Sequence, residues 1–445
     1  MKKSICFIIA LALFSCKENT GKTEVKKQEP VSNTSKIDSL LKKYEQNGGF
    51  MGSLAISHKG KIVYTNAIGF SDIETKKKST IDTRYRIGSI SKTFTATLIF
   101  KAIEEDKLAL NQTIETYFPN VKNAKKITIA HLLQHRSGIH NFTRDKSFSE
   151  FRTHYKSPTA MLTMISGYDS DFEPGSTGDY SNSNYFLLSL ILEKTFDATY
   201  EHILEEKLIK PLGLKNTYSG KETDVNKNEC YSYVFADKWT KFPETDMSIT
   251  IGSGSIVSTP KDLNRFMEAL FTGKILSTES VTLMKSIKDN HGWGIFRYKI
   301  HDREGYGHGG HLDGFRSSSI YFPEEELSFT LTTNASKTDV NTIYSEILDL
   351  YFSDAVKEIS ESEVEKFAGA YISEEDRKEE MVFVKDKATL IHVISDEFKE
   401  LLVYKGDNRF VMNQMHGGSI SFTFSPDGKE LTLEQGDYTG VYRKE

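Results

Sequence analysis

Residues 86–100 read RIGSISKTFTATLIF, with Ser89 three residues before Lys92 at the mouth of an apolar, helix-like run. Residues i and i+3 of a helix share a face, so a hydroxyl and an amine lie side by side there. Serine is a weak nucleophile at neutral pH and needs a base or a proton-relaying partner, a part Lys92 can take. The start of the same helix offers unpaired backbone N–H groups and the positive end of its dipole, both suited to a carbonyl oxygen turning into an oxyanion. The spacing recurs at Ser39-Leu40-Leu41-Lys42 and Ser258-Thr259-Pro260-Lys261, and a serine in this place also serves as a plain helix N-cap. The pair needs support from elsewhere in the chain.

Two further stretches supply it. Gly178-Asp179-Tyr180-Ser181-Asn182 precedes an apolar helical run from Tyr185 to Thr195. A phenol beside a lysine ammonium is expected to have its pKa lowered, so that Tyr180 acts as a base. The Asn182 amide can hold both the lysine and a substrate carbonyl. In Gly307-His308-Gly309-Gly310-His311-Leu312-Asp313-Gly314-Phe315 the glycines let a ligand approach the backbone of a sheet edge, with His308 lining it. His308, His311 and Asp313 also read as metal ligands, but neither an H-E-x-x-H helix nor the H-x-H-x-D-H order accompanies them. No metal and no cofactor is expected.

Ser89-Ile90-Ser91-Lys92, Tyr180-Ser181-Asn182 and His308-Gly309-Gly310 have the order and spacing of the serine β-lactamase and penicillin-binding-protein superfamily, and most resemble its class C-like branch. Leu132-Leu133-Gln134-His135-Arg136-Ser137-Gly138, Gly254-Ser255-Ile256-Val257-Ser258-Thr259 and Gly292-Trp293-Gly294 resemble the same branch. The resemblance covers roughly residues 35–352. It implies that Ser89 attacks a carbonyl, that Lys92 and Tyr180 move its proton, and that Asn182 positions substrate. It further implies an oxyanion hole made by the backbone N–H groups of Ser89 and His311, and release of the acyl-enzyme by water. Gly309, Gly310 and Arg316 are expected to bind substrate, Arg316 either as a replacement cation or, alternatively, as a plain surface residue. Class C β-lactamases carry a lysine where this chain has His308, and an imidazole near its ordinary pKa of ~6.5 is mostly neutral at pH 7. The expected activity shifts accordingly toward a D-alanyl-D-alanine carboxypeptidase, a D-aminopeptidase, an esterase or a weak β-lactamase. His135 is expected to be structural, and His291 to serve packing or a cap.

Apolar periodicity places a helix over Ile37, Leu40, Leu41 and Tyr44, a hairpin over 52–66, a helix over 93–104 burying Phe94, Leu98, Ile99 and Ile103, strands over 315–322 and 327–333, and a helix over 340–352. Strands at both ends of the unit bracket a helical middle. The expected fold class is α+β: an antiparallel sheet with helices on both faces plus a helical subdomain, followed by a small all-β domain. A chain of 445 residues has room for two folded units, assigned as 35–355 and 360–445, the latter a small β-barrel or sandwich.

Residues 1–15, MKKSICFIIALALFS, read as a signal peptide, and Leu13-Phe14-Ser15-Cys16 looks like a bacterial lipobox that implies lipidation of Cys16. Residues 16–34 read as a flexible tether. Of the three cysteines, Cys6 leaves with the signal and Cys16 takes the lipid, so Cys230 has no disulfide partner. A net charge of −5 offers no basic excess for nucleic acid. The expected partners are a small-molecule or peptide substrate in the cell envelope and a membrane reached through the lipid anchor; the expected location is the periplasm, with Lys17 favouring the outer membrane over the inner. The competing reading is a non-catalytic envelope receptor that keeps the fold.

Overall fold

The computed structural model describes residues 34–288, 291–300, 303–352, 359–375, 379–395, 399–413, 419–435 and 438–445. The expected signal peptide and Cys16 lie outside the described residues. No helix among those described is long and apolar enough to cross a membrane.

Six strands build the central sheet: β1 (Phe50–His58), β2 (Lys61–Ile68), β3 (Phe296–Ile300), β4 (Arg303–Leu312), β5 (Phe315–Phe322) and β6 (Leu327–Ser336). Their order is β3-β4-β5-β6-β1-β2, with every neighbour antiparallel. The first strand of this sheet in chain order pairs with its last, Leu54 facing Leu331. Alternate side chains explain the layers. Leu54, Ile56, Ile320, Phe322, Leu327, Phe329 and Leu331 form one apolar face. Two helices cover it, α1 (Thr34–Gln46) through Ile37 and Leu41, and the terminal helix Val340–Phe352 through Ile343 and Ile347.

The opposite face is buried yet hydroxylic: Ser53, Ser57, Ser319, Ser328, Thr330 and Thr332 are all nearly inaccessible. Buried hydroxyls need partners. Ser319 and Thr330 bond each other at 2.7 Å, while Asn264 donates to Ser57 and accepts from Ser328. Asn264 belongs to a helix laid on this face, so helices do cover both sides of the sheet.

The helical part is built around α2 (Ser91–Glu104) and α3 (Asn182–Phe196), which pack side by side. Every residue from Ser91 to Phe100 is buried, and the threonines among them bond backbone carbonyls, Thr93 to Gly294, Thr95 to Gly252 and Thr97 to Thr93. Ile103, expected in the core, is only partly buried at the outer end of α2. The two remaining helices of the frame are α4 (Pro260–Phe271), which carries Asn264, and α5, the Val340–Phe352 helix already described.

The C-terminal strands β7 (Gly369–Ser373), β8 (Glu380–Asp386), β9 (Thr389–Val393), β10 (Lys399–Gly406), β11 (Arg409–Asn413), β12 (Ser419–Phe424), β13 (Glu430–Gln435) and β14 (Tyr438–Lys444) close into a barrel. Closure comes from β7 pairing with β14, Tyr371 opposite Lys444. Its interior is aromatic, with Phe383, Phe410, Phe422, Phe424, Tyr371 and Tyr442 buried. Of the two all-β forms expected, the barrel is the one formed.

Candidate active site

Ser89 stands in a single 3-10 turn, Gly88–Ile90, that leads directly into α2. It does not cap the helix, and its hydroxyl turns instead to two other side chains. Nζ of Lys92 lies 3.1 Å from Oγ of Ser89, and the hydroxyl of Tyr180 donates to the same Oγ at 2.7 Å. Lys92 is fully buried and also donates to Oδ1 of Asn182 and the carbonyl of Ser253, each at 2.7 Å. Asn182, the first residue of α3, is oriented by its own Nδ2, which donates to Thr143 at 3.0 Å. Five positions separated by up to about 160 residues thus meet on one hydroxyl and one amine.

The electrostatics differ from the sequence expectation. Burial alone drives the Lys92 amine well below its ordinary pKa, and no carboxylate bonds to it among the described residues. Tyr180 was expected to be acidified by a neighbouring ammonium; the structure raises its pKa above 10.0, because burial outweighs the hydrogen bond to Ser89. Burial therefore works against both the ammonium of Lys92 and the phenolate of Tyr180. His308 is buried too, and desolvation first, then Lys92, pulls its imidazole down to about 3. Its Nδ1 faces the carbonyl of Gly309. The Asp313 carboxylate faces arginines, so His308 and Asp313 do not converge on a common metal position.

The glycines of β4 have a steric reason. A Cβ on Gly310 would stand 1.9 Å from the carbonyl oxygen of Ile87, and one on Gly88 would stand 2.7 Å from N of His311. Backbone therefore packs on backbone where β4 meets the nucleophile turn, with Gly88 in the left-handed region at φ 54°. This contact brings the N–H of His311 beside the Ser89 turn. Two clefts open from Ser89, both lined by Tyr180, Phe242, His311 and Asp313. One, of about 750 Å³, also takes in Tyr298, His308, Gly309, Arg316 and Lys337. The other, of about 570 Å³, takes in Asn141, Thr143, Phe148, Arg152 and Asn182. A larger cavity of about 920 Å³ does not reach Ser89. Arg316 is half-buried in the first cleft, donating to the carbonyls of Asp313 and Phe315 at 3.0 and 2.8 Å.

Several contributors were missed or misplaced. His135, expected away from the chemistry, packs its ring 4.4 Å from that of Tyr180 and accepts the Ser181 N–H at 3.1 Å. His291, expected to serve packing or a cap, does pack, its ring 6.5 Å from that of the same tyrosine. Asn141 accepts the N–H of Asn182 and donates to the carbonyl of Tyr180, fixing the loop between them. His135 was visible as a histidine after a helix, but nothing local linked it to a tyrosine 45 positions on.

This sheet, helical insert and Ser-Lys-Tyr-Asn centre define a member of the β-lactamase and penicillin-binding-protein-like serine-hydrolase superfamily. The family model described as Beta-lactamase matches residues 37–351, and the chain belongs to that family. Among relatives it is similar to a teichoic acid D-alanine hydrolase of Staphylococcus aureus, 27% identical over 263 residues covering 58% of this chain and 64% of that protein. The chain spans about two thirds of the length of the curated relatives it matches. Among solved structures, a D-amino acid amidase from Ochrobactrum anthropi SV3 complexed with D-phenylalanine aligns with TM-score 0.64 at 25% identity, over 72% of this chain and 98% of that one. The octameric penicillin-binding protein homologue from Pyrococcus abyssi aligns with TM-score 0.64 at 22% identity, over 92% of this chain and 99% of that one, and shows the fold.

Proposed function

We propose that this protein is a serine hydrolase that cleaves an amide or ester of a D-amino acid through an acyl-enzyme on Ser89. The observation that carries the reading is the short contact of Ser89 Oγ with a buried Lys92 and with Tyr180. A neutral Lys92 spends its two N–H bonds on Asn182 and Ser253 and keeps a lone pair for the Ser89 proton. As Oγ bonds to the carbonyl carbon, that proton passes to Nζ, and the carbonyl oxygen takes its charge to the N–H groups of Ser89 and His311. The new ammonium lies 4.8 Å from the Tyr180 ring and favours its phenolate. Tyr180 then gives its proton to the leaving nitrogen or oxygen and is refilled from Lys92. Water attacking the ester reverses the sequence and frees Ser89.

The named activities of the relatives, a D-alanine hydrolase and a D-amino acid amidase, support a D-aminoacyl donor. A neutral His308 in place of a lysine supports the same choice over β-lactams, because it offers no fixed cation to a carboxylate. Arg316 is the replacement for anionic substrates: it lines the Ser89 cleft, and among the described residues no carboxylate forms an ion pair with it. Residues 1–15 as a cleaved signal and 16–34 as a Cys16-lipidated tether complete the reading, holding the enzyme at an outer membrane. Metabolic labelling with a palmitate analogue, lost in Cys16→Ala, tests the anchor.

For the reaction, D-alanyl and D-phenylalanyl amides, a simple ester and benzylpenicillin are each mixed with enzyme and with Ser89→Ala. An adduct or product that disappears in the variant supports the reading, with D-aminoacyl substrates turned over fastest. Equal rates for L and D donors would remove the D-amino acid assignment, and inertness toward all four would favour the receptor.

A further inference from the structure

We propose that Asp313 is a positioning residue for this reaction, locking the β4–β5 turn that carries His311 to the segment that carries Ser89. Asp313 and Gly314 form the two-residue turn between β4 and β5, with Leu312 paired to Phe315 and Asp313 at φ 52°. Its carboxylate is 2% exposed. Oδ1 meets Nη1 of Arg152 at 2.7 Å and accepts the Thr245 hydroxyl at 2.6 Å, while Oδ2 accepts the Thr245 N–H at 2.9 Å. Oδ2 also stands 3.7 Å from Nη1 of Arg86.

Arg86 is three residues before Ser89, is itself buried, and donates to the Thr245 and Lys221 carbonyls at 2.9 and 3.0 Å while pairing with Glu244. Two guanidiniums and two carboxylates therefore balance in the interior. They tie three walls together: the strand entering the nucleophile turn, the 243–245 segment whose Thr245 lines the smaller cleft, and the hairpin of the oxyanion strand. The Asp313 carbonyl extends the tie by accepting from Arg316 at 3.0 Å and meeting Nε2 of His311 at 3.2 Å. A donor displaced by tenths of an ångström weakens an oxyanion far more than it weakens a neutral carbonyl, so the lock acts on the transition state.

The inference rests on the Ser89 reading above. Its test compares wild type, Asp313→Asn and Thr245→Val for kcat and KM on one D-aminoacyl amide, for inhibition by a boronic acid with the same side chain, and for hydrogen exchange across residues 303–316. Asp313→Asn is expected to lower kcat about 10- to 100-fold with KM within threefold, to weaken the boronic acid in proportion, and to speed exchange in that segment. Thr245→Val, which keeps the charges, follows in the same direction by about 3- to 10-fold and decides the matter if Asp313→Asn fails to fold. A folded variant with kcat, boronic acid affinity and exchange all unchanged, or with KM alone raised, overturns the proposal. Hydrogen exchange separates the two readings: if no substrate is found for wild type, faster exchange still upholds the lock and unchanged exchange removes it.

Discussion

Two buried polar clusters stand side by side in this cleft, and they are held by opposite means. Around Ser89, Lys92, Tyr180 and His308 burial works against charge, lowering the amine and the imidazole and raising the phenol. Around Asp313, Arg86, Arg152 and Glu244 it keeps ions in contact. The group that must hand protons back and forth needs partners close in proton affinity, and neutrality brings an amine and a serine nearer to that match. The group that must stay still gains from charge pairs that are costly to break. The difference separates chemistry from scaffolding within a few residues of sequence.

The sharpest break of that comparison is Lys92→Arg, which puts a permanent cation where a neutral amine is needed. Acylation by a D-aminoacyl ester is expected to fall by about a thousandfold or more, followed by stopped-flow or mass spectrometry. Retention of a tenth of the activity would show that the lone pair is dispensable. Arg152→Met attacks the other cluster and strands part of the Asp313 charge, so stability should drop by about 3 kcal/mol in urea unfolding while Ser89 stays titratable in the folded fraction.

The pH profile sharpens the contrast further. Lys92 works as the neutral form, so kcat/KM rises with pH through a pKa well below 10.5 and then stays level until Tyr180 ionises above 10.0. An imidazole held near 3 contributes no inflection between about pH 5 and 8. His308→Asn should therefore leave the acid limb where it is and change kcat/KM by less than about tenfold, the smallest effect of the series. An acid limb that moved with this substitution would assign it to the histidine and end the claim of a neutral centre.

Much of the chemistry was legible in the chain because it sits in three short motifs whose members are fixed by local geometry. Ser89 and Lys92 share one turn, Tyr180 and Asn182 flank one helix start, and His308 to His311 lie on one strand. The Asp313 cluster was illegible for the opposite reason: Arg86, Arg152, Thr245 and Asp313 meet only after the tertiary fold closes. The Ser253 carbonyl that accepts from Lys92 has no side-chain signature at all. Strand β4 itself was hard to see, since its glycines, of which Gly310 is required by the close approach to Ile87, erase the alternation that marks a strand. The direction of the Tyr180 shift was misread because proximity to lysine was visible in the motifs and depth of burial was not.

The bare backbone contacts of Gly88 with His311 and of Gly310 with Ile87 also bear on how this enzyme can be re-engineered. The separation between the nucleophile turn and the oxyanion strand is set there by main-chain radii, with no side chain in between. Exchanges at Tyr298, Phe148 or Lys337 reshape the cleft walls without altering that spacing. Substrate range can therefore be varied over a fixed reaction geometry, which makes the walls the place for library design and the two glycines the positions to leave alone.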